Sequence, residues 1–251
     1  METVRIEIKA MLEGIRFTED TRKYTCRRCK DKGFIPVEKN GIITGTPCPE
    51  CRERFERALW MKQSGITERD YRRYTFDRFK TDTAEAERMK KMAKAFLQDK
   101  DAAGMGVFGK PGTGKTHLCI AACQALSRAH YYWQYRAEIQ RIKNRMYKDP
   151  EGYEALMAVP KTKPYLYIDD LFKGAFDGGD ISQQDKQIMF EIINARYMGN
   201  LVTLVSSEHS LSDITQADEA IGSRLYEMMK PYVMNVGGIN RRIYTQGDLS
   251  F

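Results

Sequence analysis

Eight consecutive residues, Gly109-Lys110-Pro111-Gly112-Thr113-Gly114-Lys115-Thr116, fit the spacing GxxxxGK[ST]. Such a loop binds phosphates. Its glycines let backbone N–H groups turn inward, and a helix starting at its end adds the positive pole of its dipole. Lys115 is expected to reach the β and γ phosphates of ATP, and Thr116 to bind Mg²⁺. Fifty-three residues after Thr116, the apolar run YLYI ends in Asp169-Asp170. Asp169 is the expected Mg²⁺ partner, through water, and Asp170 the group that orients or deprotonates an attacking water. The run LVTLV ends in Ser206-Ser207-Glu208, polar groups suited to holding that water. Solvated acids and polar strand ends are the plainer alternatives at these two places. Arg224, in AIGSRL, is on its own a surface charge.

A second constellation is made of sulfur. Cys26-x2-Cys29, eighteen residues, then Cys48-x2-Cys51 has the spacing of a four-thiolate zinc site. Each CxxC turn presents two sulfurs to one side of a tetrahedral ion, and Gly33, Gly41 and Gly45 let the intervening chain fold back. A closed shell of four thiolates leaves no position for water, so Zn²⁺ here is expected to be structural; disulfides or unligated thiols are the alternatives. A segment this short buries little surface, so the metal should supply most of its folding energy. Arg22, Lys23, Arg27, Arg28, Lys30 and Lys32 surround the first pair, with Asp31, Glu50, Glu53 and Glu56 nearby, which leaves both nucleic acid and protein open as partners. Cys119 and Cys123 stand four apart on an expected helix, where thiols serve as small buried hydrophobes.

These residues need a frame. Short apolar runs at 106–108, 131–135, 165–168 and 201–205 read as strands, and stretches near 114–128, 137–148 and 184–198 as helices. A further strand is expected in PYVMNV. Strands alternating with helices predict an α/β fold with a doubly wound parallel sheet. Ahead of it, Met89, Met92, Ala93, Phe96 and Leu97 mark one face of a helix over 84–98. Residues 1–25 begin with a short helix, and Cys51 to Gln63 reads as helical. Ser64 to Phe79 lacks a clean period and reads as a linker.

Lys and Arg total 41 against 34 acidic residues, a net of +7 that permits a polyanionic partner without demonstrating one. No run approaches the roughly 20 uncharged apolar residues of a membrane helix. The N-terminus lacks the apolar stretch of a signal peptide, and a cytoplasmic location is expected.

The order of the motifs resembles the AAA+ family, most closely its DnaC/DnaI-like helicase loaders and the related transposition helper ATPases. The resembling stretches are TFDRF at 75–79, GKPGTGKTHL at 109–118, YLYIDDL at 165–171, IINARY at 192–197, VSSEHSLSDI at 205–214 and IGSRLYEM at 221–228. P-loop small-molecule kinases are not expected to carry the GSR segment. The resemblance implies that Ser206 to Glu208, with Ser207 and Glu208 in the site, form the sensor 1 segment. It makes Arg224 an arginine finger acting on ATP held by a neighbouring subunit. Arg241 and Arg242 look like the sensor 2 position, Arg242 the better match. Asp170 stands where a longer Glu is usual and Glu208 where Asn is usual, departures that bear on the rate of ATP hydrolysis.

The resemblance further implies two domains. Residues 1–69 would form a small zinc-binding domain that contacts a DnaB-like hexameric replicative helicase, and residues 70–251 an AAA+ ATPase domain that self-assembles. Between Tyr131 and Lys163, Arg136, Arg141, Lys143, Arg145, Lys148, Lys161 and Lys163 outnumber the acids, largely on one expected helix. In the resembling loaders this region contacts single-stranded DNA, a role that backbone-tracking cations suit; a solvated helix face is the alternative. Tyr132, Trp133 and Tyr135 are expected in the sheet and not on bases. The function so implied is ATP-dependent loading of a replicative helicase in a bacterium or phage. A transposition helper that polymerises on duplex DNA and a nucleotide-binding adaptor with little turnover are the competing readings.

Overall fold

The structure is a computed structural model describing residues 24–241 and 243, Asn40 excepted. The short helix expected at the start of the chain falls on residues 1–23 and, like Arg242, lies outside the described residues.

The chain divides into two compact units between Phe55 and Glu56. In the first, strands β1 (Phe34–Lys39) and β2 (Ile42–Pro47) pair antiparallel, from Phe34 opposite Pro47 to Lys39 opposite Ile42. Helix α1 (Pro49–Gln63) follows Cys48 directly, with Pro49 in its first turn where no N–H is needed. The division between the units falls within this helix.

In the second unit, α2 (Glu68–Arg73) and α3 (Ala84–Gln98) precede β3 (Gly104–Gly109) and α4 (Lys115–Ala125). Then come β4 (Tyr131–Gln134), α5 (Tyr135–Arg145), α6 (Pro150–Thr162) and β5 (Tyr165–Asp169). A two-residue hairpin of β6 (Phe176–Asp177) and β7 (Asp180–Ile181) leads into α7 (Gln183–Met198) and β8 (Val202–Ser207). Helices α8 (Leu211–Ala217) and α9 (Glu219–Met229) and strand β9 (Val233–Val236) complete the described chain.

The five main strands form one parallel sheet in the order β4-β5-β8-β3-β9. Helices cover both of its faces, so the strands are apolar on both sides, as in YLYI and GMGVF. On one face Met89, Ala93 and Phe96 of α3 pack with Leu118, Cys119 and Cys123 of α4 against Val107, Tyr167 and Leu204. On the other, Trp133, Ile168 and Val205 meet α5 through α9. The doubly wound sheet, the α3 stripe and the burial of both helical cysteines match the sequence reading.

One expectation is corrected. Ser64 to Phe79 is no linker: Thr67 caps α2, its hydroxyl accepting the Asp70 N–H at 3.1 Å, and Ile66, Tyr71 and Phe79 are core residues. Its apolar residues lack a period because each anchors a separate short turn. The helix expected over 137–148 is α5, and a second helix that the sequence reading did not mark, α6, follows it. Asp149 caps α6 by accepting the Gly152 N–H at 2.9 Å, and Pro150, which has no N–H to donate, opens the new helix.

Arg196 of the IINARY stretch is fully buried and pairs with no carboxylate among the described residues. Its guanidinium donates to Thr203 Oγ1 at 2.8 Å, to the Pro160 and Lys163 carbonyls at 2.7 and 2.9 Å, and to the Val202 carbonyl at 2.7 Å. It thereby ties the end of α6 and helix α7 to the start of β8, while burial lowers its pKa to about 9. Among the described residues no helix is long and apolar enough to cross a membrane.

Candidate functional site

The C-terminal edges of β3, β5 and β8 deliver the three predicted motifs to one place, the edge at which open α/β sheets bind ligands. The loop after β3 needs its glycines. Gly109 has φ +114°, and a Cβ there would lie 2.0 Å from the Val236 carbonyl oxygen; Gly112 has φ +79°, and a Cβ would meet Asn240 Oδ1 at 1.9 Å. The loop is held from outside by the Lys110 N–H on the Val236 carbonyl, 3.1 Å, and the Arg241 N–H on the Gly112 carbonyl, 3.0 Å. Helix α4 begins at Lys115, so its dipole points into the loop. Lys115 is buried, its ammonium donating to the Gly109 and Lys110 carbonyls at 2.6 and 2.7 Å. Burial lowers its pKa, against the opposing charges of Asp170 and Glu208.

Thr116 and Asp169 stand side by side, the hydroxyl donating to Oδ1 at 3.1 Å. The buried Asp169 carboxylate also accepts Ser206 Oγ at 2.6 Å, Tyr132 OH at 2.8 Å and Tyr167 OH. Four hydroxyls thus fix one carboxylate, which presents hard oxygen ligands of the kind Mg²⁺ takes. Burial, then the charge of Asp169, pushes the Tyr132 and Tyr167 phenols upward, so both remain donors. Neither tyrosine was assigned to the site from sequence. Tyr167 was within reach of it, because two residues before Asp169 on a strand is the same face. Tyr132 becomes visible only once β4 is known to pair with β5, where it sits opposite Tyr167.

Asp170 and Glu208 both reach the cleft, and Lys173 joins them, at 2.8 Å to Asp170 Oδ2 and 2.7 Å to Glu208 Oε1. Burial works against the lysine's charge, but these two bonds outweigh it and raise its pKa. Ser207 does not line the cleft. Its hydroxyl donates to the Leu171 carbonyl at 2.7 Å and accepts the His209 N–H at 3.1 Å, so it shapes the turn and leaves Glu208 to face outward.

The cleft encloses about 590 Å³ between the phosphate loop and the segment 73–82. Tyr74 and Phe79 flank His117, each ring 5.1 Å from the imidazole, whose Nε2 lies 2.9 Å from the Thr75 carbonyl oxygen. Arg241 also lines the cleft; its guanidinium donates to the Lys80 carbonyl at 2.9 Å, to Thr83 Oγ1 at 3.1 Å and to Asp82. Arg73, Arg78 and Lys80 add positive charge to the rim, complementary to a polyphosphate. Arg224 is elsewhere. It lies on α9, donates to Asn194 Oδ1 at 3.0 Å, and covers the rings of Phe190 and Tyr197 at 5.1 and 5.8 Å.

The four cysteines of the first unit converge. Their Sγ atoms lie within 4.8 Å of one another, with Cys26 and Cys48 at 3.7 Å and Cys29 and Cys51 at 3.3 Å, far beyond a disulfide bond. A tetrahedral ion with Zn–S bonds of about 2.3 Å separates its sulfurs by about 3.8 Å, so the cluster fits zinc. The Gly33 N–H donates to Cys29 Sγ at 3.3 Å, and the Asp31 carboxylate holds the Thr25 and Cys26 N–H groups at 2.9 Å each, fixing the first turn.

Much of the basic charge between 131 and 163 is already paired. Arg141 meets Glu138 at 2.8 Å, Arg145 meets Asp149 at 3.0 Å, Lys161 meets Glu191 at 3.4 Å, and Lys143 binds the buried Asp185. Among the described residues Arg136, Lys148 and Lys163 form no ion pair. Trp133 is buried in the sheet, as expected, whereas Tyr135 is buried as the first residue of α5 and not in the sheet.

Comparison with known proteins agrees with this geometry. The phage-like element PBSX protein XkdC of Bacillus subtilis (strain 168) is 32% identical over 231 residues, which cover 87% of this chain and 85% of that protein. The crystal structure of the DnaC helicase loader matches with a TM-score of 0.55 at 22% identity, over 68% of this chain and 100% of the other. That of DnaI gives 0.52 at 19%, over 70% and 95%. The two solved structures share the AAA+ fold. Residues 51–229, which carry the loop, the aspartates and the arginine of α9, match the family described as IstB-like ATP binding protein, and the chain belongs to that family.

Proposed function

We propose that this protein is an ATP-hydrolysing loader that places a DnaB-like hexameric helicase on single-stranded DNA. The observation that carries this reading is the separation of Arg224 from the cleft of its own subunit. Lys115, Thr116, Asp169, Asp170 and Glu208 meet at one sheet edge, whereas Arg224 is absent from the lining. Arg224 instead covers the rings of Phe190 and Tyr197, which are 36% and 38% exposed. An arginine on an exposed face outside its own cleft is placed for a head-to-tail assembly in which each copy completes its neighbour's site.

In this reading the loop N–H groups and Lys115 bind the triphosphate, and Lys115 exchanges its loop carbonyls for phosphate oxygens. Thr116 and Asp169 hold Mg²⁺, which offsets phosphate charge when bound. Asp170 orients or deprotonates the attacking water, Glu208 fixes that water, and Arg241 and Arg242 serve as the sensor 2 arginines. The first unit contacts the helicase, the second forms the ATPase, and Arg136, Lys148 and Lys163 contact the DNA backbone. A transposition helper is the second reading, favoured by the IstB match; the cysteine cluster counts against it, since those helpers usually lack one.

Affinity capture of the full chain from native lysate with ATP and Mg²⁺ separates the two. Recovery of a hexameric helicase is the expected result. Recovery of a transposase supports the second reading, and recovery of neither supports an adaptor of low turnover.

Zinc is expected at about one ion per chain, held by Cys26, Cys29, Cys48 and Cys51, because one ion saturates four thiolates. Elemental analysis of purified protein measures it directly. Chelation should abolish helicase capture while fluorescent ATP still binds; loss of both together would contradict independent units.

A further inference from the structure

Lys173 belongs to none of the nucleotide motifs, yet one ammonium bonds both carboxylates of the cleft, Asp170 Oδ2 at 2.8 Å and Glu208 Oε1 at 2.7 Å. Those two oxygens are therefore no further apart than two hydrogen-bond lengths. Two anions that close repel each other. The lysine removes one charge and ties down one oxygen of each acid, leaving the second oxygens, Asp170 Oδ1 and Glu208 Oε2, to meet a water.

The turn that carries Lys173 is built for this placement. Asp170 at φ +54° and Phe172 at φ +61° occupy the left-handed region, which side-chain-bearing residues hold only where their surroundings over-determine it. Here the surroundings do. The Leu171 N–H donates to the Ser206 carbonyl at 2.8 Å, the Asp170 N–H to Ser206 Oγ at 3.2 Å, and Ser207 Oγ to the Leu171 carbonyl at 2.7 Å. Leu171 and Phe172 are fully buried, and the Lys173 N–H closes the turn on the Asp170 carbonyl at 3.0 Å. The turn of β5 and the end of β8 are thus locked together beneath the ion pairs.

We propose that Lys173 is a positioning residue for ATP hydrolysis, a clamp that holds Asp170 and Glu208 as one unit at the phosphate end of the cleft. This rests on the hydrolytic reading above. The clamp acts on the water and not on nucleotide affinity, because Lys173 is not itself part of the cleft lining.

The test is steady-state hydrolysis and, separately, fluorescent ATP binding with Mg²⁺, on the full chain. Lys173→Met should lower kcat about tenfold or more while ATP affinity stays within about threefold, and Lys173→Arg, whose fork also bridges two carboxylates, should recover most of the rate. In a Glu208→Gln background Lys173→Met should cost clearly less than it does alone, since one jaw of the clamp is already open. Three results overturn the proposal: Lys173→Met at the wild-type rate, affinity falling in step with kcat, or full additivity with Glu208→Gln. A wild type that hydrolyses no ATP instead removes the hydrolytic reading and the clamp with it.

Discussion

Replacing Lys115 by Ala is expected to weaken ATP binding by about 100-fold or more. A charge-assisted hydrogen bond contributes about 1.5–3 kcal/mol, and 1.4 kcal/mol is a factor of ten. Lys115 is placed to make more than one such bond, its ammonium held at the floor of the loop at 2.6 and 2.7 Å from two carbonyls. The substitution also removes the donor to those carbonyls, so a loosened loop is a competing cause of weak binding. Thermal unfolding of the variant separates the two: a Tm within a few degrees of wild type with binding lost assigns the effect to the phosphate contact. Fluorescent ATP titration measures the affinity, and a variant that binds within a few-fold of wild type would overturn the assignment of the loop.

How far this site was legible in the sequence depends on how each residue is placed. The phosphate loop and the cysteine pairs are local patterns whose spacing is their geometry, so GKPGTGKT and the two CxxC turns were readable without a fold. Asp169 and Asp170 were readable because a strand that ends in acids delivers them to the sheet edge. Tyr132 and Lys173 were not. Tyr132 reaches Asp169 across a strand pairing that joins residues 37 positions apart, and Lys173 reaches Glu208 across 35. Such contacts depend on sheet order and on a turn held in an unusual backbone region, neither of which leaves a periodic trace. Ser207 illustrates the converse: beside Glu208 in sequence it shares the motif, but a strand points neighbours to opposite sides, and its hydroxyl goes to the Leu171 carbonyl. The sequence reading preferred Arg242 to Arg241, and Arg242 lies outside the described residues. Arg241 lines the cleft, tied to Lys80, Asp82 and Thr83. The excess of basic residues on α5 and α6 was legible as charge, but its pairing with Glu138, Asp149, Asp185 and Glu191 was not.

Arg224→Ala should retain ATP binding and lose hydrolysis by about 100-fold or more, in keeping with the large rate effects of an arginine supplied in trans to a phosphoryl transition state. Binding is spared because Arg224 lies on α9 against Asn194, Phe190 and Tyr197, outside the cleft of its own subunit. The loss alone does not distinguish a finger from a structural arginine, since the guanidinium also donates to the Ala220 carbonyl at 2.8 Å and packs on two rings. A mixture does. Asp170→Asn keeps a functional Arg224 but lacks the proposed water-orienting carboxylate, so each variant alone is inactive for a different reason. In a head-to-tail assembly mixed at random in equal parts, about one quarter of interfaces join an intact Asp170 to a neighbour's intact Arg224. Hydrolysis should then return to about that fraction of wild type and fall as the ratio moves from equality. If an assembly shown to be mixed gives no recovery at any ratio, Arg224 acts within its own subunit or only in packing. Should wild type also turn over no faster than either variant, the protein binds ATP as a switch and the hydrolytic role of the cleft is lost.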